Sequence, residues 1–252
     1  MNHEAYHAIS AFYDRVNADI DYDAWADYIE DNFRRHLEKR PELLLDLACG
    51  TGVLTIRFAK KGYDMIAVDL SEDMLMTARE NADDAEVSPL FLCQDMRSLD
   101  LYGTVEGGYC CLNSLNYLEE ESELDTVFSH LKHFVAPGGV FVFYVNTAYN
   151  FHHTYGENTY IYDEEGVYCI WQNSTEESPL AANFDLTFFK KGRDGRYTRL
   201  EESQRQIYLS PEAIERAYTE NGFETVACYG STSFDTPKDD DEALWFVIRR
   251  KA

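Results

Sequence analysis

Leu43-Leu44-Leu45-Asp46-Leu47-Ala48-Cys49-Gly50-Thr51-Gly52 is the stretch whose reading decides the fold. Its first half is a short, nearly continuous apolar run, as a strand buried on both faces requires. Its second half is a turn containing two glycines, which let the backbone approach a ligand closely and open a helix whose N-terminal amides favour anionic groups. Val53 to Lys60 reads as that helix and stops at Gly62. Buried strand, glycine turn and helix together make the first unit of an α/β fold.

Working outward, the unit repeats. Met65-Ile66-Ala67-Val68-Asp69 is a second strand, and Ser71 caps a helix running to about Asn81. Leu90-Phe91-Leu92-Cys93 and Gly108-Tyr109-Cys110-Cys111-Leu112 are the third and fourth strands. A helix from about Ser122 to Phe134 ends in Pro137-Gly138-Gly139, and Val140 to Val145 is the fifth strand. Strands alternating with helices imply right-handed crossovers and a doubly wound, mostly parallel sheet. Upstream, residues 3–39 read as helical, and Pro41 marks a break.

The period changes after Asn146. Residues 157–208 are strand-like: Tyr160-Ile161-Tyr162 and Val167 to Trp171 flank a turn at Gly166, and Phe184, Leu186 and Phe188 alternate with polar residues. Arg193-Asp194-Gly195 is a hairpin turn before Tyr197 to Tyr208. The expectation is an inserted antiparallel β subdomain whose many aromatic residues form its own core. A helix resumes after Ser210-Pro211 and closes at Gly222-Phe223, with two last strands near 224–230 and 243–250. The expected division is 1–146 for the N-terminal helices and the α/β core, 147–208 for the insert, and 209–252 for the elements completing the sheet.

Composition narrows the function classes. Lys plus Arg number 22 against 46 Asp plus Glu, a formal net charge of −24. A surface this acidic repels phosphate backbones and anionic lipid, so nucleic acid is not the expected partner. Basic runs are short, at Lys60-Lys61, Lys190-Lys191 and Arg249-Arg250-Lys251. The six cysteines, Cys49, Cys93, Cys110, Cys111, Cys169 and Cys228, form no CxxC pair and sit mostly in apolar runs, as reduced thiols do. The start of the chain is polar, and no apolar run approaches the roughly 20 residues that span a bilayer. A cytoplasmic protein with no membrane partner is expected. Among the histidines, His3 and His7 have a helical spacing but read as incidental, so no metal site is expected.

Three features at three successive strand ends point to one ligand. The glycine turn follows the first strand. Asp69 ends the second, 19 residues beyond Gly50, where an acid can accept hydrogen bonds from both ribose hydroxyls of an adenosine. The third leads to Gln94-Asp95-Met96, where Asp95 can accept from an adenine amino group and Met74 and Met96 can sandwich the ring. Ligands of open α/β sheets bind beyond the carboxyl ends of the strands. No glycine stands at the third place of a G-x-G-x-x-G, so the turn lacks the pyrophosphate fingerprint of a dinucleotide enzyme.

DLACGTG (46–52), AVDLS (67–71), CQDM (93–96) and the PGG (137–139) before the fifth strand resemble the motifs of class I S-adenosylmethionine-dependent methyltransferases. The opening AFYDRVNADIDYDAW, the NSLNYL after strand four and the later YTRLEESQRQIYLS resemble a bacterial, small-molecule-type subgroup with an inserted β-lid. The resemblance implies a seven-stranded Rossmann-like sheet and S-adenosylmethionine as cofactor. It implies a cofactor site built from Asp46, Ala48, Cys49, Gly50, Thr51, Gly52, Asp69, Leu70, Met74, Gln94, Asp95, Met96 and Asn113, with Tyr13, Tyr22 and Trp25 helping to cover it. In such an enzyme the protein holds a nucleophile in line behind the methyl group, at roughly 3–3.5 Å. Asn113 and Tyr117, after strand four, are the candidates for orienting cofactor or acceptor. Asn113, Tyr144 and Gln204 stand where many relatives carry Asp, Asp and His, which leaves any general base unassigned. Glu202, Gln204, Gln206 and Tyr208 share one strand face, turned either to the acceptor or to solvent. His152 and His153 read as surface residues. The expected reaction is methyl transfer to a small-molecule acceptor, with a tRNA or protein acceptor, or a non-catalytic cofactor-binding protein, as the alternatives; the oligomeric state stays open.

Overall fold

Two sheets organise the chain, in a computed structural model that describes residues 17, 20–164, 166–192 and 194–252. The larger has seven strands: β1 (Leu43–Leu47), β2 (Asp64–Asp69), β3 (Leu90–Cys93), β4 (Val105–Cys110), β5 (Val135–Asn146), β10 (Phe223–Tyr229) and β11 (Ala243–Arg250). Their order is β10-β11-β5-β4-β1-β2-β3. β1 to β5 run parallel, and β11 and β10 add antiparallel at one edge. The smaller sheet is an antiparallel meander of β6 (Thr159–Glu164), β7 (Val167–Glu177), β8 (Leu180–Lys191) and β9 (Tyr197–Ile207).

Both faces of the large sheet are covered, which is why its central strands read as unbroken apolar runs. On one face α1 (Tyr22–His36) and α2 (Val53–Lys60) bring Ile29, Phe33, Leu54 and Phe58 onto Leu44, Tyr109, Val140, Val142 and Trp245. On the other, α4 (Glu123–Phe134) and α5 (Pro211–Glu220) bring Phe128, Leu131, Ile214 and Tyr218 onto Leu45, Phe141, Phe143 and Phe246. α3 (Glu72–Asp84) flanks β2 and β3. The insert has its own apolar cluster, Phe151, Cys169, Ala182, Phe184, Leu186 and Phe188, with Trp171 and Tyr155 packed against it. Among the described residues no helix is long and apolar enough to cross a membrane. All six cysteines are free thiols.

The structure moves several expected boundaries. Within the described residues the N-terminal helix is confined to Tyr22–His36, because Asp21 caps it by accepting from the Ala24 N–H (2.9 Å) and Leu37 turns extended. α3 runs three residues past Asn81, to Asp84. β4 ends at Cys110 rather than Leu112, since Leu112 and Asn113 both take left-handed backbone (φ 55° and 52°) and turn the chain out of the sheet. A single 3₁₀ turn, Ser114–Tyr117, follows. β5 starts at Val135, ahead of the Pro137-Gly138-Gly139 expected to precede it, and its register against β4 shifts there. A π-helix at Asn150–Tyr155, which the pattern does not announce, joins β5 to the small sheet.

Candidate active site

The site begins with backbone geometry at the end of β1. Ala48, Gly50 and Gly52 all have positive φ (63°, 55° and 77°), so the turn folds tightly back on itself. At Gly52 a Cβ would lie 3.1 Å from the Cβ of Ala78, so the missing side chain lets α2 sit close to α3. At Gly50 a Cβ would meet nothing within 4 Å: the Cα of this glycine borders open space in the cleft.

Asp69, the last residue of β2, locks that turn. Its Oδ2 accepts the Gly50 N–H at 2.7 Å and its Oδ1 accepts the Ser71 N–H at 2.9 Å. Burial pushes its carboxyl above the usual carboxylate range, while these amides pull the other way. Behind the turn Asp46 is buried, its Oδ2 accepting from the Thr55 and Tyr109 hydroxyls, and burial pushes it up to about 7. Asp46 therefore braces the turn from inside, while Asp69 faces the cleft.

The remaining walls come from the next two strand ends. Ser71 caps α3, accepting the Met74 N–H at 3.2 Å, and so sets Met74 at the cleft. Asp95 caps the 3₁₀ turn Met96–Ser98 through the Arg97 N–H (2.8 Å), which sets Met96 opposite. The Arg97 guanidinium clasps Asp95 (2.6 Å) and Glu123 (2.7 Å) and holds the Asp95 carboxyl below its ordinary range. The Gln94 side chain pairs with both backbone groups of Asp100 (2.9 Å each), so it contributes to the wall while bracing that loop. Leu70, 67% exposed, offers an apolar surface at the mouth.

These residues line one cleft of about 370 Å³, which also takes in Ala48, Val68, Ser114, Tyr117, Glu119, Glu202 and Gln204. Asn113 and Trp25 line a second cavity instead, of about 310 Å³, with Leu112, Tyr144, Asn146, Asn150, Tyr155, Trp171, Leu186, Phe188 and Gln204. Gln204 lines both, so the two adjoin there. The face of β9 bearing Glu202, Gln204 and Gln206 is thus turned toward the core. Tyr117 donates to Gln204 Oε1 at 2.9 Å. Asn113 donates to Tyr155 Oη (3.0 Å) and Gln206 Oε1 (3.1 Å), and Asn146 donates to the same two atoms (2.7 and 3.0 Å). This amide–phenol network ties the ends of β4 and β5 to the π-helix and to β9.

Other expected residues lie elsewhere. Tyr22 is buried against Trp25 and Arg57 and lines neither cavity. Thr51 is buried, its carbonyl accepting from Asn81 (3.0 Å), and Cys49 and Gly52 shape the turn without lining the cleft. Tyr13, His3 and His7 fall outside the described residues. His153 stacks on Tyr149, 4.2 Å between centroids, and neither it nor His152 lines either cavity. Sequence reasoning missed Tyr155, Asn146, Asn150 and Trp171. Asn146 had a signal, the strand-end rule applied to β5; the π-helix residues had none.

The donor set suits an adenosyl sulfonium. Carboxylates dominate the cleft (Asp69, Asp95, Glu119, Glu202), and its one lining cation among the described residues, Arg97, is neutralised by Asp95 and Glu123. That field welcomes a cation and offers nothing to a pyrophosphate. Asp69 stands where a sugar diol can share its carboxylate, and the Met74 and Met96 thioethers suit a purine face.

Comparison with known proteins agrees. Residues 44–139 match the model of a methyltransferase domain. A protein of Geobacillus sp. (strain WCH70), named as a methyltransferase, is 29% identical over 245 residues, covering 97% of this chain and 99% of its own. The crystal structure of an S-adenosylmethionine-dependent methyltransferase from Clostridium acetobutylicum ATCC 824 superposes with a TM-score of 0.87 at 27% identity, covering 98% of this chain and 99% of the other. A dTDP-3-amino-3,4,6-trideoxy-alpha-D-glucopyranose N,N-dimethyltransferase of Streptomyces venezuelae is 36% identical over 124 residues, 48% of this chain and 49% of its own.

Proposed function

We propose that this chain, an S-adenosylmethionine-dependent methyltransferase, methylates a small molecule held in the cavity beside the cofactor cleft. One observation carries the reading: the second cavity, about 310 Å³, is walled by aromatic rings and neutral amides and meets the cofactor cleft at Gln204. A volume of that size suits a compact acceptor. The net charge of −24 and the absence of Lys and Arg among the described residues walling this second cavity disfavour a polynucleotide. The sugar N,N-dimethyltransferase above acts, by its name, on a small acceptor too.

The bound cofactor supplies an electrophilic methyl group. This chain's residues hold it and aim the acceptor. Asp69 takes the ribose hydroxyls, Gly50 and Ala48 bring the backbone close, and Leu70, Met74 and Met96 enclose the adenine beside Asp95. Asn113 and Tyr117, linked to β9 through Gln206 and Gln204, orient the acceptor, and the amide–phenol network closes the back of the site. Positioning is the larger part of the rate gain when an in-line geometry is enforced.

The experiment is transfer of a labelled methyl group from S-adenosylmethionine to a panel of small amines and alcohols, beside extracted RNA and bulk protein. Label in the small-molecule fraction alone is expected, and Asn113→Ala and Tyr117→Phe should each lower turnover roughly tenfold or more. Label confined to RNA or protein, or unchanged turnover in both variants, contradicts the reading.

A further inference from the structure

Seven buried side-chain polar atoms among the described residues lack a hydrogen-bond partner, and three of them belong to residues lining the two adjoining cavities: Glu202 Oε2, Asn150 Oδ1 and Trp171 Nε1. The other four line neither. An unpaired buried polar atom is costly, and one in the cleft with two in the cavity adjoining it describe what the joined space is built to receive. Glu202 is the telling one. Its Oε1 accepts from the Gln204 amide, its Oε2 accepts from nothing, and among the described residues no basic side chain pairs with it. The one cation lining the cleft among the described residues, Arg97, is already shared between Asp95 and Glu123. A buried carboxylate wants a cationic or strongly donating partner, and here it must come from the ligand.

We propose that the acceptor is a protonated amine bearing hydroxyl groups, its ammonium reaching from the second cavity past Gln204 to Glu202 in the cofactor cleft, which binds and deprotonates it. This rests on the small-molecule reading above and adds the reacting atom and its base. The ammonium gives one proton to the Glu202 carboxylate. The freed nitrogen lone pair forms the new N–C bond as the C–S bond of the cofactor breaks, its electron pair staying on sulfur. The product leaves as a protonated methylamine, and Glu202 returns its proton to solvent. Asn150 Oδ1 accepts a hydrogen bond from a hydroxyl of the acceptor, and Trp171 Nε1 donates to a hydroxyl or ether oxygen. Burial raises the Glu202 carboxyl, which brings it nearer the amine it must deprotonate.

The test uses matched pairs, an amine and an alcohol on one skeleton: 3-amino-3-deoxyglucose and glucose, cyclohexylamine and cyclohexanol, 2-aminoethanol and ethylene glycol. Labelled methyl transfer is followed for the wild type, Glu202→Gln and Trp171→Phe, and the affinity of each for S-adenosylhomocysteine is measured by calorimetry. The amines should be methylated and the alcohols not. Glu202→Gln should lower kcat/KM for amines about 100-fold or more, a far larger loss than in its S-adenosylhomocysteine affinity, and move the acid limb of the pH profile up to the amine's own titration. Asp69, Asp95, Glu119 and Tyr117 face the same cleft and Tyr144 and Tyr155 the adjoining one, so the difference between the two profiles isolates Glu202. Trp171→Phe should weaken the amino sugar roughly five- to tenfold more than it weakens cyclohexylamine. Alcohols methylated as fast as amines, no amine methylated, or a Glu202→Gln enzyme within threefold of wild type each overturn the proposal. Loss of S-adenosylhomocysteine binding by the wild type strikes the cofactor reading beneath it instead.

Discussion

Asp46 and Asp69 sit one strand apart in the same buried corner, yet the structure gives them different tasks. Asp46 points inward to Thr55 and Tyr109, Asp69 outward to the glycine turn and the cleft. The sequence displays both as strand-end acids, and spacing alone cannot separate them; the side that each faces is settled by packing. Asp46 carries a pH signature. Its carboxyl is raised by burial to about 7 in the folded chain, above its value in the unfolded one. A raised group stabilises the fold fully below the unfolded pKa and loses that contribution as pH climbs through the folded value. The wild type should therefore lose stability between about pH 4 and pH 7, and Asp46→Asn, which keeps an oxygen for both hydroxyls, should lose less. Urea titrations at pH 5 and pH 8 check this; equal pH dependence in the two proteins contradicts the assignment. Asp69, raised in the same direction, leaves a residual slope in the variant.

At the scale of elements, regular periodicity was readable and departures from it were not. Apolar runs at 43–47, 65–69 and 90–93 declare parallel strands, and Ser71 and Ser210 declare helix starts that the structure places at Glu72 and Pro211. The end of β4 was misread because Cys111 and Leu112 continue the apolar run, while left-handed backbone at Leu112 and Asn113 breaks the strand. Nothing in an apolar side chain signals that geometry, and it is held by the packing around it. The π-helix escaped for the same reason. Its Tyr155 is tied to Asn113, 42 residues away, and Tyr155 and Asn150 are tied to Asn146, pairings that no periodicity of the sequence marks. One close strand contact offers a clean test. A Cβ on Gly108 would lie 2.9 Å from the Phe141 ring and 3.0 Å from the Leu45 carbonyl. Gly108→Ala should cost about 1–3 kcal/mol of stability, read as a lowered denaturation midpoint, by forcing β4 away from its neighbours. A variant as stable as wild type would show that the sheet is looser here than described.

For the molecule as a whole, the division of labour is spatial. The parallel strands end in one crevice, where we place the cofactor, and β9 of the four-stranded sheet supplies a wall to both cavities. That β9 faces the core could not be read from its alternation, because a two-residue period marks two faces without naming the buried one. The net charge of −24 acts on the entire fold. Self-repulsion opposes the compact state, and salt screens it: from 0.01 to 0.1 M the Debye length falls from about 30 Å to about 10 Å. The Tm at neutral pH should therefore rise over that range, and a flat or falling Tm contradicts the charge argument.

The central claim is that the cleft beyond β1, β2 and β3 binds an adenosyl sulfonium through Asp69. Calorimetric titration of S-adenosylmethionine and S-adenosylhomocysteine into the wild type and Asp69→Ala tests it most directly. Losing a buried carboxylate that takes two hydroxyls should weaken both ligands about 30-fold or more in the variant. Equal affinity in the two proteins, or no heat of binding in the wild type, would contradict the account.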